Sequence, residues 1–267
     1  MRKYLSVFKI SLAQEFAYRT NFIMWRVRNV IQIFLIFFLW DSVFTNSQTT
    51  VFGYNKAKIL TYVFGLIIVR AFVLSARAVD VPGEVQSGSM SNLMLKPINY
   101  FKYWLTRDLS SKTLNLGFAA VEAVLLFFLL KPPFYLQTNP GVLFAFVISI
   151  SLAMLIYFIV LFISSAVPLW VPEAGWGSQF LINSIFVEFL SGAIFPLDVL
   201  PKSFQAILNL TPFPYMIFFP LEVYLGKLEA AVVLRGIFIS TIWLIVLWLG
   251  MNALWRKGLK AYQSQGR

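Results

Sequence analysis

Three ionisable residues that could do chemistry, Arg70, Glu122 and Glu188, each interrupt a long apolar run. A charge inside a membrane segment is costly and usually faces the bundle interior or a water-filled path. Arg70 and Glu122 come at similar depths, so one interpretation is a structural ion pair between them. The other is that all three residues line the path of a substrate. Glu188 has no obvious partner, which makes it the stronger path candidate.

Other kinds of chemistry are excluded by what the chain lacks. It has no Cys and no His, which rules out disulfides, thiolate nucleophiles, His-based triads and zinc sites with the usual ligands. Gly83 and Gly88 have the spacing of a phosphate-binding loop, but Ser89 and Met90 stand where that motif needs Lys and then Ser or Thr. We therefore expect no nucleotide site, no catalytic residue, no metal site and no cofactor in this chain.

The composition is that of a membrane protein. Hydrophobic residues make up 59% of the chain and charged residues 12%, whereas soluble domains have about 25% charged residues. The net charge of +11 indicates basic cytoplasmic loops and contact with anionic membrane lipid. No basic run with interleaved aromatic residues stands apart from the apolar segments, so no nucleic-acid partner is expected.

Six windows have the length and apolar character of spanning helices, which need about 20 residues. Most Lys and Arg residues fall on the side shared by the two chain ends, so both ends are predicted to be cytoplasmic. The sequence thus predicts an all-α, multi-pass membrane protein. Four tryptophans near predicted span ends are typical of an interfacial belt: Trp25, Trp40, Trp104 and Trp255. The windows are approximately residues 24–45, 58–77, 113–130, 142–163, 178–195 and 233–255.

Residues 1–23 are predicted to form an N-terminal interfacial helix that precedes a transmembrane domain over residues 24–267. Leu5, Phe8, Leu12 and Phe16 follow the 3–4 spacing of one helix face, and basic residues flank that stripe. A plain cytosolic tail is the alternative.

Two connecting segments are unusual. The inner segment, residues 78–112, is the longest one predicted on the cytoplasmic side. The outer segment, residues 196–231, contains prolines that exclude one straight helix. It is predicted to form two short re-entrant helices before the last span, which requires protein or a wet cavity to satisfy its non-helical backbone. The prolines are Pro196, Pro201, Pro212, Pro214 and Pro220.

The sequence GEVQSGSMSNLMLKPIN, residues 83–99, resembles the cytoplasmic loop of ABC-2-type transporter permeases. The shared pattern is an acidic residue, a small-residue turn, an apolar run, a basic residue and a proline. The segment LSGAIFPLDVLPKSFQAILNLTPFPYMIFFP, residues 190–220, is similar to the stretch that precedes the last span in the same superfamily. Ser89 and Met90 depart from the charged residue that related loops often carry. The residues that carry the first pattern are Glu84, Gly88, Leu93, Met94, Leu95, Lys96 and Pro97.

Within the superfamily, the chain resembles the bacterial drug and natural-product exporter branch. The resemblance implies a permease subunit in the bacterial plasma (inner) membrane, which exports a hydrophobic or amphipathic small molecule from the cytoplasm or inner leaflet. It implies two ABC ATPase subunits that hold ATP and Mg, and a second permease subunit, identical or paralogous. It also implies that the 83–99 loop couples the permease to the ATPase. An exposed apolar run on a polar loop suits a protein groove, although folding back on the membrane is the alternative.

Two other classes of protein compete with this interpretation. An ion-coupled secondary carrier or channel could use Arg70, Glu122 and Glu188, but carriers usually show broken helices in matching halves, and only one interrupted region is evident here. A lipid-modifying membrane enzyme would need clustered acids, bases or metal ligands in polar loops, and the sequence has none in evidence.

Overall fold

The computed structural model describes residues 2–17, 19–44 and 50–262, and within these ranges the chain is helical and has no β-strand. This confirms the all-α class. A π-helical stretch, Leu181–Val187, joins two short helices, Gly175–Phe180 and Glu188–Leu190. The helices are α1 Arg2–Ala17, α2 Arg19–Val43, α3 Lys56–Val73, α4 Val81–Gln86, α5 Met90–Met94, α6 Tyr100–Leu130, α7 Pro140–Ser164, α8 Gly175–Phe180, α9 Glu188–Leu190, α10 Lys202–Leu208, α11 Phe218–Tyr224 and α12 Ala230–Ala261.

Four segments of the described chain are long and apolar enough to cross a membrane: Ile23–Val43, Tyr100–Leu130, Pro140–Leu169 and Ala230–Ala261. A fifth is formed if α3 is counted with the helical segment Arg77–Gln86, which is bent from it by 54°. The predicted span at residues 178–195 instead forms the shorter run of α8, the π-helix and α9. That run ends before Gly192, whose φ of +86° does not continue a helix.

Asparagine caps set where three of the long helices begin. The Oδ1 atom of Asn55 accepts a hydrogen bond from the Lys58 amide at 2.8 Å, and that of Asn99 accepts one from the Lys102 amide at 3.0 Å. Asn139 caps α7 in the same way. Each cap satisfies a backbone N–H that has no partner inside its helix, so polar residues in the sequence mark the starts of α3, α6 and α7.

The bend after α3 is held by two buried side chains of α6. The Lys112 ammonium donates to the carbonyl oxygens of Val73 and Ser75, at 3.1 and 2.5 Å. The Asp108 carboxylate accepts from the amides of Arg77 and Ala78, at 2.6 and 2.9 Å. A cation thus meets the carbonyl end of one helix and an anion the amide end of the next, which is the favourable arrangement for both helix dipoles.

Aromatic side chains fill the core where α6, α7 and α12 meet. Trp255 donates its indole N–H to the carbonyl oxygen of Phe162 at 2.7 Å. Trp40, Trp104 and Trp255 are buried, with 5%, 0% and 2% of their surface exposed. The predicted interfacial belt is therefore wrong for these three residues, because protein surrounds them; of the four predicted belt residues, Trp25 alone is exposed.

Helix α1 packs along α6, and two residues of the predicted apolar stripe, Phe8 and Leu12, are half-buried. The Ser110 hydroxyl donates to the carbonyl oxygen of Phe8 at 3.1 Å, and Glu15 is buried against the bundle. Leu5 and Phe16, from the predicted apolar stripe, are exposed. The predicted stripe is thus divided between the bundle and the surface, and an interfacial position of α1 stays a prediction.

The two described chain ends lie at the same end of the bundle as segment 78–112. The Lys3 ammonium donates to the carbonyl oxygen of Pro97 at 2.7 Å. Near the other terminus, Gly258 lets α12 approach the 3-10 helix Val167–Leu169, because a Cβ at this position would meet Leu169 Cδ1 at 2.4 Å. That 3-10 helix in turn packs on α4.

Residues 196–231 contain two short helices, α10 and α11, separated by proline-rich turns. At this end of the bundle the Tyr54 hydroxyl lies 2.5 Å from Glu222 Oε1 and 2.9 Å from Asp198 Oδ2. The Lys227 ammonium lies 2.7 Å from Asp198 Oδ2 and 3.1 Å from Glu222 Oε2.

Burial raises the pKa of the Glu222 carboxyl above its ordinary value, although Lys227 and Tyr54 oppose the shift. How deeply the segment enters a membrane stays a prediction.

Candidate functional site

A polar cavity of about 560 Å³ lies among α2, α3, α6 and the run from α8 to α9. Its walls combine apolar side chains, such as Ile33 and Leu66, with ionisable and amide side chains. All three charged residues singled out from the sequence, Arg70, Glu122 and Glu188, line it. A cavity of this volume falls within the range of about 300–1,000 Å³ that is usual for small-molecule sites.

The first ion pair across the cavity joins α2 to α6. The Arg26 guanidinium donates through Nε to Glu122 Oε1 at 2.6 Å and through Nη2 to Glu122 Oε2. Its Nη1 atom lies 3.4 Å from Asn115 Oδ1. Because the contact with Glu122 is bidentate, it fixes the orientation of both side chains as well as their separation.

The second ion pair joins α3 to α9. Arg70 Nη2 donates to Glu188 Oε1 at 2.7 Å and also lies 3.3 Å from Gln32 Oε1. Arg70 Nη1 donates to the carbonyl oxygen of Ala193 at 3.0 Å, in the non-helical stretch after α9. Among the described residues, the second carboxylate oxygen of Glu188 has no hydrogen-bond partner, although it is buried.

These contacts correct the ion pair predicted from the sequence. Arg70 does not pair with Glu122; it pairs with Glu188, and Glu122 pairs with Arg26. Depth along two spans was a poor guide because the azimuth of each side chain about its helix decides which charges meet. The expectation that Glu188 lacks a partner was wrong for the same reason.

Arg26 is a cavity residue that the sequence analysis did not single out, because it stands at the start of the predicted first span, where a basic residue is ordinary. A signal was present in the spacing of polar residues. Arg26, Asn29 and Gln32 recur every three residues on α2 and all line the cavity. Such spacing places side chains on one face of a helix, so a polar stripe on an otherwise apolar span indicated a wet interior.

The end of the cavity nearest the bend after α3 is bordered by a further charged contact. Arg77, which follows the bend, donates through Nε to Glu15 of α1, and its Nη1 atom lies 3.5 Å from Asp80 Oδ2. The cavity wall includes all three residues. The N-terminal helix therefore contributes directly to the polar site, which its amphipathic pattern did not indicate.

Segment 83–99 presents an apolar tip at the same end of the bundle. Gly88 has a φ of +71°, which confirms the turn expected there and favours glycine because it lacks a Cβ. After it, α5 leads to Met94 and Leu95, whose surfaces are 48% and 86% exposed, and to Lys96 and Pro97, which are also exposed.

Comparison with known proteins identifies the class of molecule that carries these features. The family described as ABC-2 family transporter protein matches residues 30–266. The chain belongs to this family. It is therefore the membrane-embedded permease subunit of an ABC transporter, and such permeases associate with ABC ATPase subunits. No curated protein matches the chain.

Within this ABC-2 permease, the residues expected to couple to the ATPase divide into two groups. Met94, Leu95, Lys96 and Pro97 face outward, while Leu93 is half-buried. Glu84 points into the subunit, where Oε2 lies 3.2 Å from the Tyr100 hydroxyl and Oε1 lies 4.0 Å from Arg107 Nη1. Its contacts are thus those of a residue that orients the segment against α6. Their role in coupling stays a prediction.

Proposed function

We propose that this permease belongs to an exporter that moves a hydrophobic or amphipathic small molecule out of the cytoplasm or inner leaflet of a bacterial plasma membrane. The observation that carries the proposal is the polar cavity among membrane helices, lined by Arg70, Glu122 and Glu188 and by apolar side chains. An amphipathic molecule suits such walls, because its apolar body can contact the aliphatic residues while its polar groups replace water near the ion pairs.

The ion pairs themselves have a place in this proposal. An ion pair, which has no net charge, costs less free energy in a membrane interior than a single unpaired charge. The cavity can therefore stay polar without a bound substrate. Glu188 would contact the substrate, because it lines the cavity and its second, buried carboxylate oxygen has no hydrogen-bond partner among the described residues. Glu122 and Arg70, whose partners lie on other helices, would then hold the walls of the path.

Energy enters the proposed exporter from outside the chain. ATP and Mg would be held by two ATPase subunits, and a second permease subunit, identical or paralogous, would complete the pathway. Met94 and Leu95 would occupy a groove on the ATPase, since exposed apolar side chains at the tip of a loop fit a protein groove. Glu84, Leu93, Lys96 and Pro97 would orient and flank that contact, and Gly88 would permit the turn.

The test is reconstitution of the full chain with its ATPase and partner permease in proteoliposomes. Leu95→Asp is expected to weaken ATPase binding by at least about 2 kcal/mol, the cost of losing an interface anchor, and to uncouple ATP hydrolysis from transport. Leu210→Asp is the matched control, because Leu210 is also largely exposed but lies in segment 196–231. Equal ATPase binding and transport by the two variants would overturn the docking role.

The same vesicles separate the exporter from the ion-coupled carrier. With the ATPase present, substrate accumulation is expected only when ATP and Mg are supplied. Accumulation driven by a proton or sodium gradient without ATP, and abolished by Glu188→Gln, would favour the carrier instead. For the exporter, Glu188→Gln is expected to change substrate affinity while ATP stays the only energy source.

A further inference from the structure

A second cavity, of about 470 Å³, lies on the opposite side of the contact between α3 and α6 from the polar cavity. Leu66 and Arg70 of α3 line the polar cavity, whereas Gly65, Ile68 and Val69 line this one. The other walls come from α6, α7, α11 and the loop after α6, and its lining is almost wholly apolar. The proposed transport path makes no use of it.

The mouth of this cavity is on the outer surface of a predicted membrane span. Val124 and Phe128 of α6 line the cavity and are 54% and 69% exposed. Exposed apolar side chains on a spanning helix face lipid tails or another membrane helix. A hydrocarbon chain can therefore enter from the bilayer, and it would supply the dispersion contacts that an unfilled apolar space lacks.

Two lysines stand at one rim of the cavity. Lys58 lies one helical turn before the lining residue Thr61, and its ammonium lies 5.3 Å from the centre of the Tyr135 ring. The Tyr135 amide donates to the Thr61 hydroxyl at 2.8 Å, which ties the loop to this rim. Lys131 lies one turn after the lining residue Phe127. Among the described residues, neither lysine forms an ion pair with a carboxylate.

We infer that this cavity binds one acyl chain of an anionic phospholipid, whose phosphate lies between Lys58 and Lys131. The apolar lining selects a hydrocarbon chain, and the two uncompensated cations at the rim select a negatively charged headgroup over a neutral one. The lining offers almost no polar group to orient a transported molecule, which distinguishes it from the cavity around Arg70. The lipid would brace α3 against α6 and α11, the helices that form most of its walls.

Native mass spectrometry of the purified full chain tests the headgroup. With phosphatidylglycerol or phosphatidylcholine added, one phosphatidylglycerol is expected to be retained in preference. The variant Lys58→Gln with Lys131→Gln should lose this preference, by about fivefold for each lysine. Lys202→Gln, at an exposed lysine of α10 away from the cavity, should keep it. Equal retention of the two lipids by the unmodified chain would overturn the proposal.

The position of the acyl chain is tested by filling the cavity and by crosslinking. Ala123→Phe places a ring among the lining residues and should reduce lipid retention, whereas Leu129→Phe, at an exposed position on the opposite face of α6 that does not line the cavity, should not. A phosphatidylglycerol with a diazirine in its acyl chain should label residues 61–69 and 123–134. Labelling elsewhere, or displacement of the lipid by a transported compound, would overturn the assignment. If Ala123→Phe does not fold, the lysine variants and the labelled peptides still decide.

Discussion

At the scale of single residues, the polar cavity depends on charge pairs that no one helix supplies. Arg26 and Glu122 come from α2 and α6, and Arg70 and Glu188 come from α3 and α9. Each side chain is largely removed from solvent, so the loss of one partner leaves a buried charge without compensation, which typically costs about 3–5 kcal/mol. Replacing both partners removes the charges together and costs much less.

This pairing predicts the outcome of a double-mutant cycle on Arg70 and Glu188. Arg70→Met and Glu188→Gln should each lower the free energy of unfolding in detergent, and the double variant should recover part of the loss. The coupling free energy is expected within the range of about 0.5–3 kcal/mol found for residues in contact. Chemical unfolding of the four proteins measures it.

The matched control is the cycle on Arg70 and Glu122, the pair suggested by the sequence. Because each of these residues has another partner, their coupling should be smaller than that of Arg70 with Glu188. A larger coupling in this control cycle would contradict the observed pairing.

Glu222 predicts a pH dependence of stability. Burial raises its pKa above the ordinary 4.5, so the folded chain binds this proton more tightly than the unfolded chain does. The contribution of Glu222 to stability is therefore greatest at low pH and falls as the pH rises from 4.5 through the raised pKa. The melting temperature of the wild type minus that of Glu222→Gln should become more positive as the pH is lowered from about 8 to about 5.

The control for this measurement is Glu229→Gln, at an exposed carboxyl a few residues further along the chain. A melting-temperature difference for Glu222→Gln that stays constant across the same pH range would show that burial of this carboxyl has no net effect.

At the scale of elements, the bend between α3 and the helical segment Arg77–Gln86 links the cavity to segment 83–99. Arg70 belongs to the last turns of α3. Just beyond the bend, α4 leads into segment 83–99. Lys112 and Asp108 of α6 hold the two helix ends on either side of it. A displacement of α4 by an ATPase would therefore act on α6 and on the end of α3 together.

Lys112→Met is predicted to loosen this bend. The carbonyl oxygens of Val73 and Ser75 lose a charged donor, which should lower the free energy of unfolding by about 2–3 kcal/mol. In the reconstituted transporter, ATP hydrolysis should persist with reduced transport per ATP. Lys102→Met, at an exposed lysine on the same helix, is the control. Wild-type stability and coupling in Lys112→Met would contradict the role given to the bend.

At the scale of the whole molecule, the arrangement of charged segments suggests which end faces the cytoplasm. Segment 78–112 and both described chain ends lie together, and the contacts among Tyr54, Asp198, Glu222 and Lys227 form elsewhere, at segment 196–231. The excess of Lys and Arg on the first group predicts that it is cytoplasmic.

Cysteine labelling in intact cells checks this orientation, and the chain contributes no background because it has no Cys. Ser203→Cys and Thr138→Cys should react with a membrane-impermeant maleimide from outside. Asn92→Cys, in segment 83–99, should react only after permeabilisation. All three positions are exposed, so burial does not explain a failure to react. The reverse pattern would overturn the predicted orientation.

The sequence by itself was sufficient to predict the class of the protein and to place its main helix breaks and turns. Apolar runs too long for a soluble core require a bilayer, and the five prolines in residues 196–231 exclude one straight helix through that segment. The turn at Gly88 and the apolar tip after it could likewise be predicted from the sequence, because both depend on a few neighbouring residues: a glycine that permits the turn and a short apolar run in a polar loop. Such features need no knowledge of what lies across the bundle.

Only the tertiary structure decided which charges meet. Arg70 could pair with Glu122 or with Glu188, and the choice depends on how each helix is rotated and packed. The shorter run at Gly175–Leu190 and the burial of Trp104 likewise depend on neighbours distant in the sequence. Depth along a span is a one-dimensional quantity, whereas an ion pair requires two side chains to point at the same place in three dimensions.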